Sequence, residues 1–199
     1  MKKALSLVLC VLMITCIFAA CSGNKAYTPG TAEGDVFTSE WIGIQYKKGQ
    51  DYIFATKDEL RELIDVAADG IKTDSETGEE LIDYAKANSV IEMMASSIYG
   101  DNVLLMTEKL PMSNITMDQY VESLQNQVAA TFTGRTTYEI AGKEFTELDF
   151  KLELSGITLY QNYYLYKIEN RMVAIITTFF ENETCYEMLK GFKAYNTSK

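Results

Sequence analysis

The chain has no histidine, only two prolines, and fewer basic than acidic residues. Each shortage removes a class of chemistry. Without imidazole there is no Ser-His-Asp or Cys-His catalytic unit, no histidine-ligated metal and no histidine switch near neutral pH. A formal charge of -10, from 18 Lys+Arg against 28 Asp+Glu, leaves no surplus of cations to neutralise phosphates, so nucleic acid is excluded as a partner. Of the four cysteines, three (Cys10, Cys16, Cys21) fall in the first 21 residues, which leaves Cys185 alone beyond them. One sulfur makes no internal disulfide, dithiol redox pair or cysteine metal cluster. What remains is 47% hydrophobic with 13 tyrosines, enough for one core and not the composition of a disordered chain.

The first 20 residues read as a secretory signal peptide. Lys2 and Lys3 form a basic start, Leu5 to Ala20 runs apolar apart from Ser6 and Thr15, and small residues close the run. This run of sixteen residues is shorter than the ~20 needed to span a bilayer. Phe18-Ala19-Ala20-Cys21 resembles the lipobox of bacterial lipoproteins, with phenylalanine where leucine is usual. The resemblance implies cleavage before Cys21 and a diacylglyceryl group on its sulfur. Two or more acyl chains hold a protein to a bilayer where one does so only marginally. Loss of Lys2 and Lys3 with the leader leaves 16 basic against 28 acidic residues, or -12, so an anionic membrane surface repels the body and attachment falls to the lipid. The expected location is the extracytoplasmic face of the cell membrane.

Beyond Cys21 the sequence predicts a flexible tether over 21–35, rich in Gly, Thr and Ser, and then a single domain over 36–195. Fourteen tether residues reach ~45–50 Å at most. Thr56-Lys57-Asp58-Glu59 is a capping box ahead of Leu60, Leu63 and Ile64 at helical spacing. A short helix is expected over Glu79–Ala87 and strands over Val90–Ala95 and Asn102–Lys109, joined by a turn at Tyr99-Gly100-Asp101. A second capping box, Thr116-Met117-Asp118-Gln119, starts a helix expected to run to about Thr131. Leu148, Phe150, Leu152 and Leu154 alternate with charged residues, as in an antiparallel strand with one buried face. Ser155-Gly156 turns the chain into Ile157–Leu165, and Arg171–Phe180 reads as a central strand covered on both faces. Asn182 caps a last helix carrying Cys185, Met188, Leu189 and Phe192. The class is α+β, mostly antiparallel sheet flanked by helices.

This order of elements, with Ile140-Ala141-Gly142-Lys143-Glu144-Phe145 leading into a three-strand meander, Gln161-Asn162-Tyr163-Tyr164 in its middle strand and Val173-Ala174-Ile175-Ile176 closing it, resembles the PsbP-like α/β/α sandwich. The resemblance covers roughly Val36 to Phe192 and is carried by structural motifs. It implies a binding or assembly role and hands over no site residue.

Candidate chemistry is thin. Ser22-Gly23-Asn24-Lys25 has the Ser-x-x-Lys spacing of serine acyl-enzymes but sits in the tether. The acidic run Asp69, Asp74, Glu76, Glu79, Glu80, Asp83 suggests calcium, yet counting from Asp74 puts Glu79 where the sixth-position glycine belongs and Ala85 where the twelfth-position glutamate belongs. Cys185 falls in an amphipathic pattern, as a core thiol does. Three sequons, at Asn114, Asn182 and Asn196, read as loop and cap chemistry. Tyr160, Tyr164 and Tyr166 share one strand face, which either docks a ligand or partner or packs under a covering layer. No catalytic residue, metal ligand or cofactor site is assigned. The sequence therefore reads as a non-enzymatic envelope lipoprotein, fixed to the membrane by Cys21 and binding an envelope protein or small ligand. The alternatives are a carboxylate-dependent hydrolase acting on glycans and a structural or assembly subunit.

Overall fold

Two antiparallel sheets and three helices make up residues 26–69, 87–128, 130–154, 156–180 and 182–195, which the computed structural model describes. The signal segment 1–20, Cys21, Ser22–Lys25, the acidic run from Asp74 to Asp83, all but the last residue of the helix expected over Glu79–Ala87, and the Asn196 sequon lie outside the described residues.

The larger sheet has seven strands in the order β4 (Tyr52–Phe54), β5 (Ser89–Ser97), β6 (Asn102–Lys109), β10 (Arg171–Phe179), β9 (Ile157–Ile168), β8 (Lys143–Leu154), β7 (Thr131–Ile140), each antiparallel to its neighbours. Strand alternation gives it two apolar faces. From β6, Leu104 and Met106 point one way and Val103 and Leu105 the other; from β10, Ile176 and Ile175 divide likewise. The first face is covered by helices α1 (Lys57–Asp69) and α2 (Met117–Gln127). The second is covered by the smaller sheet, in the order β1 (Thr31–Glu33), β2 (Val36–Ser39), β3 (Ile44–Lys47), β11 (Phe192–Ala194), together with helix α3 (Asn182–Leu189). The α+β class and the flanked antiparallel sheet are as the sequence predicts, and the structure adds that one covering layer is itself partly sheet.

Both capping boxes form. The Gln119 N–H donates to Thr116 Oγ1 (3.2 Å) while the Thr116 N–H donates to Gln119 Oε1 (2.9 Å), and Thr56 and Glu59 do the same at α1. This satisfies donors that a helix start leaves orphaned. Leu124, Val121 and Tyr120 then seat α2 on the sheet, with Leu124 fully buried.

Four expectations are corrected. Helix α2 stops at Gln127, not near Thr131, because Thr131–Ile140, with four threonines, is strand β7; the meander has four strands, not three. Phe192 leaves the last helix for β11. Gly191 makes that exit: a Cβ there would lie 2.5 Å from the Tyr46 ring, so only glycine lets the chain pass so close. The tether does not run to Asp35, since Thr31–Glu33 is already paired with β2 and the Gly30 N–H is bonded to the core. The folded body thus starts ahead of Val36, at Tyr27. At the other end the Tyr195 N–H donates to Gly43 O (3.0 Å), so the described body includes Tyr195.

Leu148 is fully buried under α2, so Leu148→Ala will lower the unfolding free energy by roughly 2–5 kcal/mol, against ~1 kcal/mol for Thr116→Ala at the cap. Urea titration with an unchanged slope checks both.

Candidate functional site

The tyrosine face singled out in the sequence is interior. Tyr160, Tyr164 and Tyr166 do point to one side of β9, but that side is the one covered by the small sheet and α3. Tyr164 is fully buried, and its hydroxyl lies 3.2 Å from Cys185 Sγ, which is also 3.2 Å from Thr177 Oγ1. Tyr160 stacks on Phe179 (5.8 Å) and Tyr166 packs on Phe145 (5.2 Å) under the Lys143 ammonium. These rings fill the core, and they leave no docking surface at Tyr164. Burial pushes the Cys185 thiol up, so it stays protonated and packs as a small core residue.

Sequence reading missed the buried acids. Glu92 sits in a bulge of β5: Ile91 pairs with Met106 and Met93 with Leu105, so one extra residue is squeezed between them. The bulge turns Glu92 into the protein beneath the N-terminal segment, where its carboxylate accepts from the Gly30 N–H (2.9 Å) and the Tyr27 hydroxyl (3.2 Å). Tyr27 in turn accepts from Thr107 Oγ1 (2.8 Å), meets Trp41 edge-on at 5.2 Å, and carries the Arg171 guanidinium 3.7 Å above its ring. Desolvation raises the Glu92 pKa despite these donors. Glu108 lies on the opposite face under α2, where the Tyr120 hydroxyl donates to it at 2.7 Å; desolvation pushes it up to about 7, that hydrogen bond opposing. Glu147 is buried beside Tyr164 and accepts from Asn162 Nδ2 (3.1 Å); desolvation raises it, and neighbouring Asp149 adds to the rise. The one visible signal for Glu92 was an acid inside the apolar run Val90–Ala95. Among the described residues, no group of three or more Asp, Glu, Cys or His could hold a metal ion.

The surface has two features that sequence periodicity does not reveal. The first is an apolar end. Strand register sets Arg171, Ile168, Lys143 and Lys109 at one end of the large sheet, and Tyr27 belongs to that end through Arg171 and Thr107. Six of the large apolar side chains that remain exposed (Ile53, Ile98, Tyr99, Phe132, Ile157 and Phe180) lie toward the other end, strung from edge strand β4 to edge strand β7, with Ile98 76% and Tyr99 74% exposed. Eight residue steps of β10, at ~3.3 Å each, separate the two ends. Phe180 packs close to Gly100 and is tied there by its N–H to Asp101 Oδ1 (3.3 Å).

The second is a groove of about 380 Å³ between the β3–β4 loop and the exit of α3. Tyr46, Tyr52 and Met188 line it together with four lysines, Lys47, Lys48, Lys190 and Lys193, and one acid, Glu187. Lys48 pairs with Asp35 (2.8 Å) and Lys190 with Glu187, whereas no ion pair among the described residues engages Lys47 or Lys193. A more polar cleft of about 540 Å³ runs along β1 and β2 past Thr31, Thr38 and Tyr195.

The raised pKa of Glu108 fixes a pH dependence. Between the ordinary value of 4.5 and about 7 the native state keeps a proton that the unfolded chain has released. The stability it contributes is therefore whole below 4.5 and lost as pH rises to 7, a total on the order of 3 kcal/mol. Glu108→Gln will flatten the fall of unfolding free energy over that window, measured by urea titration at a series of pH values. A residual slope is expected from Glu92, Glu147 and Asp149, which shift the same way.

No protein-family model matches the chain, and no curated protein matches it. Among solved structures it is similar to cyanobacterial PsbP (CyanoP) from Synechocystis sp. PCC 6803, with 8% identity and a TM-score of 0.47 over 88% of this chain and 98% of that one. A crystal structure from Bacteroides thetaiotaomicron VPI-5482 matches with 10% identity and a TM-score of 0.43 over 84% of this chain and 51% of that one. LpqN, involved in cell envelope biogenesis of Mycobacterium tuberculosis, matches with 8% identity and a TM-score of 0.39 over 77% and 83%. Likenesses at this level carry no argument about chemistry, which rests on this chain's own residues.

Proposed function

We propose that the protein is an extracytoplasmic lipoprotein, held to the membrane through Cys21, that binds a protein partner at the apolar end of its large sheet and performs no reaction on it. The observation that carries this reading is the position of the six exposed apolar side chains, at the end of the sheet opposite Tyr27. From Cys21 to Tyr27 is six residue steps, a reach of about 20 Å at full extension. An acylated Cys21 would hold the Tyr27 end close to the bilayer and turn the apolar end outward. Apolar side chains placed in this way serve a docking or assembly role. No helix among the described residues is long and apolar enough to cross a membrane, so attachment in this reading rests on the lipid.

A hydrolase would need two carboxylates flanking an open site. Glu147 and Asp149 are the best pair, alternate residues of β8 with both pKa values raised. Glu147 is buried and engaged by Asn162, and neither residue lines the groove or the cleft. Binding without turnover is the better account of this arrangement.

A photo-crosslinking residue at position 99 in intact cells will give an adduct of discrete mass, lost on Ile98→Asp or Phe180→Asp, while the same probe at exposed Glu144 near the Tyr27 end will not. Equal labelling at both positions, or at neither, contradicts the reading. Cys21→Ala will abolish acyl labelling and release the protein from the membrane fraction; unchanged retention removes the anchor.

A further inference from the structure

The lysine groove reverses the sign of the molecule. The whole chain carries -10, yet the groove's lining carries four lysines against one glutamate. Two of those lysines are placed as a pair. Lys193 lies opposite Gln45 in the β3–β11 ladder, and Lys47 is two residues further along β3 on the same outward face. That makes them diagonal neighbours, with backbone positions ~7–8 Å apart. Both are exposed, and neither has an ion pair among the described residues. Asp35 lies within electrostatic reach of Lys47 but also pairs with Lys48, so the two exposed lysines rooted at that backbone spacing keep a net positive charge, which an anion with charges at a comparable interval offsets. The interval suits a polypeptide: alternate side chains on one face of an extended segment are ~6.6–6.8 Å apart. A single phosphate or carboxylate offers charges far closer together. The groove also supplies the half-buried Tyr52 ring for an apolar side chain, and Ile53, next to Tyr52, belongs to the apolar end.

We infer that the groove receives an extended acidic segment of the partner protein, with carboxylates at alternate residues on Lys47 and Lys193 and an intervening side chain over Tyr52. The inference rests on the partner-binding reading above and names the chemistry of the segment that would be bound. Lysine, a flexible point charge, suits carboxylates presented along a chain, and the groove holds no arginine fork of the kind that grips phosphate in two-point fashion.

The test uses the full-length chain in non-ionic detergent and a fluorescein-labelled octapeptide of alternating Glu and Val, read by fluorescence anisotropy. Binding is expected to weaken about tenfold in K47E/K193E and to fall with added salt. A block isomer, four Glu followed by four Val, is expected to bind several-fold more weakly at equal charge, and tripolyphosphate is expected not to displace the alternating peptide. Unchanged binding in K47E/K193E overturns the inference, as does a block isomer that binds equally or displacement by tripolyphosphate, either of which marks an unspecific anion site. Both lysines are exposed, so the variant should keep its thermal midpoint; if it does not, K47Q/K193Q replaces it. A crosslink at position 99 that survives while the octapeptide fails to bind removes this inference alone. A lost crosslink with octapeptide binding intact removes the docking end and leaves the groove.

Discussion

A single carboxyl group decides how this chain is oriented. The bulge in β5 sets Glu92 and Met93 on the same side of the sheet, and Glu92 is thereby taken out of water. Burying a carboxylate costs several kcal/mol unless donors replace its hydration. Two of the donors come from the segment ahead of β1, the Gly30 N–H and the Tyr27 hydroxyl, and the Ser39 and Thr107 hydroxyls add to them. Each side supports the other: Tyr27 and Gly30 replace part of the hydration that the acid loses, and the acid adds two hydrogen bonds that hold the segment ahead of β1. Tyr27 is then wedged between the Trp41 edge and the Arg171 cation. The entry of the chain is fixed to one end of the large sheet, and the asymmetry between the two ends follows from that.

The other buried acids work in the same way at other joints. Glu108 on β6 takes the Tyr120 hydroxyl and so ties α2 to the sheet beneath it. Glu147 on β8 takes Asn162 from β9 beside the Tyr164–Cys185–Thr177 cluster, where α3 crosses the far face. In a chain without histidine and with few arginines, tyrosine hydroxyls and amide groups satisfy these internal carboxyls. Their pKa values rise because such neutral partners offset desolvation only in part. Burial of this kind joins elements: each acid bonds a group from a neighbouring helix or strand.

What was legible in the sequence was local. Capping boxes at Thr56 and Thr116 mark helix starts because the reciprocal hydrogen bonds need only residues three apart. The strict alternation from Leu148 to Leu152 and the apolar run of β10 give a half-wet and a fully covered strand, and both are found. Strand β7 was not legible: Thr131, Thr133, Thr136 and Thr137 are exposed on an edge strand and provide no apolar alternation to read. The smaller sheet was missed because its strands are three or four residues long and β11 is separated from β3 by most of the chain. Nor could periodicity separate a tyrosine face that binds from one that is covered, because the cover over Tyr164 comes from β2, β3 and α3. The lysine groove was invisible for the same reason, its walls being Lys47–Tyr52 and Glu187–Lys193.

A net-acidic body carrying a basic groove makes electrostatic sense under the proposed anchoring beside a membrane. Its overall charge holds it off anionic lipid and off other acidic surfaces, so weak contacts with its neighbours are discouraged at ranges of about one Debye length, ~8 Å. Against that background a local cluster of lysines acts as a filter. Only a ligand that presents its charges at the right spacing gains enough near the groove to offset the repulsion of the rest. Complementary charge of this sort governs how fast and in what register a partner arrives more than how tightly it stays. Tightness in the proposed contact has to come from apolar area, of which Ile53, Ile98, Tyr99 and Phe180 are the exposed sources on the β4, β5 and β10 side of the large sheet. Attraction and adhesion are thus divided between two surfaces, and the latch at Glu92 keeps both on the side facing away from the point where the chain enters the fold.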